Sequence, residues 1–175
     1  WKLDERSQRT GRILLLPREK KGKKGRAKKT APPPGYLEIC VDSGCTWHVH
    51  HRAEDMINLR PCRDSVTGVD LKRHYAHFIG DLPVIALDRD GKERSLIIRG
   101  VRLIPEFTDT LISVDQLWDK DGVDARFANK RYFVLPPDKS GARCKLPFTR
   151  RNKVYTWDVR VDPSPKQRVG GAGFS

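Results

Sequence analysis

The stretch Leu37-Glu38-Ile39-Cys40-Val41-Asp42-Ser43-Gly44-Cys45-Thr46 constrains this chain more than any other. Leu37, Ile39 and Val41 alternate with Glu38 and Cys40, the period of a strand with one buried face. Asp42 comes directly after the last apolar residue. A carboxylate delivered by a buried strand is costly unless it is hydrogen-bonded or doing chemistry. Ser43 and Gly44 suit a tight turn whose N–H groups and hydroxyl point back at that carboxylate. On these residues alone, a plain strand and turn with a solvated aspartate is the simpler reading.

Strand signals dominate the remainder of the chain. Residues 46–51 read as a second short extended segment. Residues 52–59 read as a helical turn with Met56 and Leu59 on one side, ended by Pro61. Residues 66–81 mix β-formers with turn residues and read as a long hairpin with a mobile, glycine-containing tip. Residues 82–101 read as a clear hairpin about Asp90-Gly91, the strongest short turn signal in the chain. An apolar strand near Val101, a loop at Pro105 and a second buried strand over 111–114 come next. Val114 to Asp119 reads as a short helix closed by Gly122. Two more hairpins are expected, one about Asn129 and one about Arg151-Asn152. The class is therefore all-β and barrel-like, with one short helix. Phe127, Phe133, Trp118 and Trp157 are expected to pack in the core or in a dimer interface.

Composition divides the chain. Of the net charge of +13, residues 1–30 carry +9, from 12 Lys/Arg and 3 Asp/Glu. Lys20, Lys21, Lys23, Lys24, Arg26, Lys28 and Lys29 form a low-complexity run with nothing to bury. Such a run can neutralise phosphates of RNA or DNA, or simply stay solvated. Pro32-Pro33-Pro34-Gly35 closes it as a stiff linker. We expect a basic, disordered arm over 1–34 and a folded domain over 35–137. A C-terminal strand pair over 138–161 and a disordered tail over 162–175 complete the chain. It begins at Trp1, as a processed product or a piece of a longer protein would. Apolar runs such as 13–16 and 84–87 are four residues long, far short of the roughly 20 that span a bilayer. No secretory signal pattern is visible and no membrane partner is expected. Four cysteines at irregular spacing suggest free thiols in a reducing compartment.

Several segments, in order, carry a resemblance. Asp42-Ser43-Gly44-Cys45-Thr46-x-His48 resembles the Asp-Ser-Gly-Ala/Cys-Thr/Ser-x-His of copia-type retrotransposon proteases, a branch of the retroviral-type aspartic proteases. Ile79-Gly80-Asp81-Leu82-Pro83-Val84 resembles the segment after their flap. Val101-x-Leu103-Ile104-Pro105, with Leu111-Ile112-Ser113-Val114-x-x-Leu117 after it, resembles their paired apolar strands. Residues 146–155 resemble the stretch leading toward the pre-integrase region. Thr110 stands where the family usually has Asn, and Lys72, Arg73, His74 and His77 make the flap segment more basic than usual.

The resemblance implies a retropepsin-like barrel, one lobe per chain, active as a symmetric homodimer. It implies an aspartic endopeptidase that cleaves the Gag-Pol polyprotein in the cytoplasm, within virus-like particles. Asp42 would be catalytic. Ser43, Gly44 and Thr46 would support it from the turn, and Leu111, Ile112 and Ser113 from behind. Gly68, Val69, Leu71, Phe78, Ile79 and Gly80 would form the flap that closes over an extended peptide. Residues 138–161 would complete the dimer interface or begin the pre-integrase segment. A metal-free peptidase of this kind needs a base to activate water and an acid for the product, roles that two carboxylates sharing a proton can fill. Asp64-Ser65 is followed by Val66, and Asp109-Thr110 by Leu111. Neither is a second Asp-Ser/Thr-Gly, so the other carboxylate must come from a second copy.

Three other readings compete. Cys45, His48, His50, His51 and Cys62 offer soft ligands, but the two paired spacings of a structural zinc site are missing. No metal or other cofactor is expected. Cys45 beside His48 lacks a third group to orient a nucleophile. The serious rival is a transposon-derived, catalytically silent module that dimerises or binds nucleic acid through its basic arm.

Overall fold

The computed structural model describes residues 11–12, 34–68 and 71–164. The strands are β1 (Gly11–Arg12), β2 (Leu37–Asp42), β3 (Val49–His50), β4 (Ile57–Thr67), β5 (Arg73–Leu87), β6 (Glu93–Leu103) and β7 (Thr110–Ser113). The helix α1 (Val114–Asp121) comes next, then β8 (Asp124–Arg126), β9 (Tyr132–Val134), β10 (Lys145–Pro147), β11 (Thr149–Arg151) and β12 (Val154–Val161). The all-β expectation with one short helix holds among these residues. No helix of the described residues is long and apolar enough to cross a membrane.

Nine strands join in the order β1-β4-β5-β6-β3-β7-β2-β12-β11, and β12 also pairs with β5. That extra pairing closes β5, β6, β3, β7, β2 and β12 into a ring, which leaves these strands without free edges. Ile39 and Val41 from β2, Val84 from β5 and Val159 from β12 are all at most 4 % exposed inside it. Strands β8, β9 and β10 form a separate three-stranded sheet. Its Phe133 packs on Trp157 and Phe148, with ring centroids 5.1 and 4.8 Å apart. Phe133 and Trp157 are core residues, Phe127 is partly buried, and Trp118, 60 % exposed, takes no part in the core.

The hairpin predicted about Asp90-Gly91 is present, with Leu87 opposite Glu93 and Gly91 at φ 79°. Its turn is held by Asp88, whose carboxylate accepts from the N–H groups of Asp90 and Lys92 and from Arg94. The predicted helix is present too. Ser113 caps its start, and Gly122, at φ 62°, ends it in the left-handed conformation that glycine adopts without strain. The hairpins about Asn129 and Arg151-Asn152 are β8–β9 and β11–β12.

Two local expectations fail. The helical turn over 52–59 shrinks to a 3-10 turn at Ala53–Asp55, and Pro61 ends nothing because it lies inside β4. A proline donates no ladder hydrogen bond, so it belongs at a sheet edge or bulge. Both conditions are met here. Beyond β4 the only described partner is β1, at Val66 and Thr67, and the β4–β5 register shifts between Pro61 and Asp64. Met56 is buried and Leu59 is 40 % exposed, and both side chains reach Gly80, so they share a side without the helical turn. The extended segment expected over 46–51 is regular only at Val49–His50.

The 66–81 hairpin is β4–β5 and is longer than the sequence suggested, with pairing from Ile57–Asp81 to Thr67–Arg73. Its base is tight. A Cβ on Gly80 would lie 2.8 Å from the Ile57 carbonyl oxygen and 3.1 Å from a Leu59 methyl. Gly80→Ala is therefore expected to destabilise the chain by about 1–3 kcal/mol, measured as a lower urea midpoint with an unchanged slope.

Candidate active site

Strand β2 delivers Asp42 beside Ser113, because β2 and β7 run parallel with Asp42 opposite Ser113 and Val41 opposite Ile112. Alternation then sorts the neighbours. Ile39, Val41 and Ile112 face the ring interior, while Cys40 and Leu111 join a second apolar cluster. That cluster contains Val66 and Ala76, which are 1 % and 0 % exposed, from the two strands of the β4–β5 hairpin. Asp42 has the parity of Cys40, so it lies on the side of β2 that borders the apolar cluster to which the hairpin contributes.

The carboxylate is half satisfied. One oxygen, Oδ1, accepts from the Gly44 N–H at 2.7 Å. The other, Oδ2, is buried and has no hydrogen-bond partner among the described residues. Burial raises the Asp42 pKa, against the opposing pull of the Gly44 and Cys45 backbone N–H groups. The tight turn predicted from Ser43 and Gly44 is present, and both residues are exposed at its tip.

Behind the turn, one serine holds three elements. Ser113 Oγ donates to the Cys45 carbonyl at 2.6 Å and accepts from the Gln116 N–H at the start of α1. The Ser113 N–H donates to His48 Nδ1 at 2.9 Å. His48 is fully buried, and desolvation first, then Arg102, pushes its pKa down to about 3. It is neutral, with its proton on Nε2. Gln116 Oε1 accepts from the His48 N–H, and its Nε2 donates to the carbonyls of Arg99 and Gly100. Arg102 lies 3.7 Å over the Trp47 ring and pairs with Asp64 of β4 at 3.0 Å. A continuous polar network thus ties the Asp42 turn to the helix and to the hairpin.

The soft-ligand cluster does not converge. His50 directs Nδ1 to Thr110 Oγ1 at 2.7 Å and Nε2 to Asp55 at 3.0 Å, whereas His48 faces Ser113. No group of three or more His, Cys, Asp or Glu is arranged to hold a metal among the described residues. All four cysteines are free. Burial pushes the Cys40 thiol up to about 12 and raises Cys45 too, so neither is a ready nucleophile. A pocket of about 490 Å³ opens at the start of β2, lined by Tyr36, His51, Arg52, Asp55 and Asp109 among others; Asp42 is not part of it.

The structure brings together Asp42, Ser43, Gly44, Leu111, Ile112 and Ser113; Thr46 is half-buried just past the turn. Gly68 is buried in the hairpin turn, which is closed by Gly68 N–H to the Lys72 carbonyl at 2.9 Å. Leu71 sits at that tip with φ 62° and is 84 % exposed. Phe78, Ile79 and Gly80 lie near the base instead, with Gly80 packed under Ile57. Val69 and the arm residues Lys20, Lys21, Lys23, Lys24, Arg26, Lys28 and Lys29 lie outside the described residues. Sequence reasoning missed Gln116 and Arg102. The spacing of Gln116 three residues after Ser113, a capping-box pattern, was the available signal.

Residues 39–123 match the family model of the Pol polyprotein, β-barrel domain, just under half of the chain. This region is Pol polyprotein-derived. No curated protein and no solved structure matches the chain.

Two variants probe this Pol-derived site. Ser113→Ala removes a helix cap and leaves the Cys45 carbonyl without its donor, so it should cost about 1–3 kcal/mol in denaturant unfolding. Asp42→Asn removes a carboxylate whose folded pKa is raised. A raised pKa makes the ionised group a net cost once pH climbs through that pKa, and no cost below the unfolded value. The variant should therefore melt higher than wild type near about pH 7, with the gap closing near about pH 3.

Proposed function

We propose that the chain is one half of an aspartic endopeptidase of a copia-type retrotransposon, which cleaves the Gag-Pol polyprotein when two copies meet at Asp42. The observation that carries this reading is the buried, unpartnered Oδ2 of Asp42. A lone carboxylate left so is a liability, and a second carboxyl sharing one proton with it is the partner that removes the cost. At about 3 Å and an effective dielectric near 20, two negative charges repel by about 5 kcal/mol. One pKa unit is only about 1.4 kcal/mol, so the pair keeps one proton near neutral pH and titrates as a unit. The ionised member then takes a proton from water as that water attacks the peptide carbonyl. The protonated member gives its proton to the carbonyl oxygen; the first member, now carrying the water's proton, passes it to the leaving amine while the second takes one back from the tetrahedral diol.

The surroundings support the same reading. Gly44 fixes one carboxylate oxygen, and Ser113 holds the turn from behind. The β4–β5 hairpin contributes to the apolar cluster that borders the Asp42 side of β2, the side on which a flap would cover an extended peptide and exclude water. The match to a Pol polyprotein domain is consistent with a polyprotein substrate. We place the enzyme in the cytoplasm, within virus-like particles built from that polyprotein. The basic arm favours the second reading, a silent module that binds nucleic acid.

Co-expression with its own polyprotein separates the two. Wild-type chain should process it, and Asp42→Asn should abolish cleavage while sedimenting as the same dimer. Equal cleavage by Asp42→Asn would overturn the aspartic mechanism. A wild-type chain that never cleaves, yet retards RNA in a salt-dependent way, selects the module.

A further inference from the structure

Positive charge gathers in a second place, inside the folded part of the chain. Residues 126–155 hold 9 Lys/Arg and 1 acid, a net +8, almost as much as residues 1–30 carry. The acid, Asp138, is taken up by its own turn, where its carboxylate accepts from the Ser140 hydroxyl and from the Ser140 and Ala142 N–H groups. Acids from outside the segment reach two of its cations. Asp124 pairs with Arg126, and Glu38 and Asp158 pair with Arg151. Among the described residues no acid forms an ion pair with Arg131 or Arg150.

These two side chains meet at one ring. Arg150 is the cross-strand partner of Tyr155 in the β11–β12 hairpin. Its side chain therefore lies on the Tyr155 side, while Arg151 points the other way, to Glu38 and Asp158. Arg131 arrives from just before β9, where its carbonyl accepts from the Phe148 N–H at 3.2 Å. The guanidinium carbons of Arg131 and Arg150 lie 5.7 and 5.6 Å from the Tyr155 ring centroid. Phe127 packs on the same ring at 4.8 Å. Arg131 Nε is buried and donates to nothing among the described residues.

Two like charges held at one ring with no acid between them repel each other. A buried guanidinium N–H without an acceptor adds a further cost, and contact with the tyrosine face offsets only part of it. An anion with several oxygens relieves both, and the guanidinium fork matches two oxygens of a phosphate. The net +8 of residues 126–155 calls for an anion that repeats rather than a single ion, and a nucleic acid repeats its phosphate at every residue. We infer that the Arg131–Arg150 pair about Tyr155 holds the phosphate backbone of a nucleic acid. Backbone contacts position a strand and read no sequence, so binding here is indifferent to base identity. The site rests neither on residues 1–30 nor on the aspartic mechanism, and cleavage does not require it.

The test is fluorescence anisotropy of the full chain with a labelled oligouridylate, repeated over a range of salt concentrations. Replacing both residues, Arg131→Gln with Arg150→Gln, should weaken binding about tenfold at low salt. It should also flatten the slope of log affinity against log salt by about 1.4, the contribution of two single-strand phosphates. Arg131→Lys with Arg150→Lys keeps both charges and should keep the slope. Lys120→Gln, which removes an exposed charge from the last turn of α1, should change neither quantity. If the double glutamine variant does not fold, Arg150→Gln alone, at an exposed position, should flatten the slope by about 0.7. The proposal is overturned if the double variant, or Arg150→Gln alone, melts like wild type and keeps the wild-type affinity and slope. It is equally overturned if Lys120→Gln costs as much as Arg150→Gln, or if polyglutamate of the same length displaces oligouridylate at equal concentration.

Discussion

The parallel pairing of β2 with β7, which sets Asp42 beside Ser113, is the contact on which the candidate site depends. Ser113 uses both its hydroxyl and its N–H. The hydroxyl donates to the turn and accepts from the helix, and the N–H reaches His48. Gln116 and Arg102 then carry that link to the β6 backbone and to Asp64 on the hairpin. Buried polar groups of this kind are stable only when satisfied together, so turn, helix and hairpin are placed as a unit. The ring closed by β12 gives this unit a rigid floor.

Around this network two buried atoms have no hydrogen-bond partner among the described residues, His48 Nε2 and Asp42 Oδ2, and of the two the carboxylate oxygen lies at the turn. Gly44 satisfies one carboxylate oxygen and Ser113 the Cys45 carbonyl, while the other carboxylate oxygen has no donor among the described residues. On the proposed reading this is the half of a shared-proton pair that a single copy cannot complete. The same turn exposes Ser43 and Gly44, which leaves an approach to the aspartate from outside the chain.

Much of this was legible from residue order. The alternation of residues 37–41 announced β2, Asp90-Gly91 announced its hairpin, and Ser113 with Gly122 bracketed α1. The motif around Asp42 pointed to the site before any geometry was known. Other features were not legible because they depend on distant partners. Pro61 reads as a stop, yet an edge position and a bulge make it a strand residue. Trp118 reads as core or dimer interface, and within one chain it is exposed rather than core. The role of residues 154–161 was open, because only the joint pairing of β12 with β2 and β5 closes the ring. Gln116 was marked only by its capping-box spacing from Ser113, and Arg102 was missed because nothing local marks a polar side chain that will be buried.

The central claim is that one chain holds half of a catalytic site. Mixing wild-type and Asp42→Asn chains, and tracking cleavage after subunits have exchanged, tests it directly. If both aspartates of a two-copy assembly are needed, activity falls as the square of the wild-type fraction, to about one quarter in an equal mixture. A linear fall, to about one half in that mixture, would mean that each chain works alone and would contradict the account.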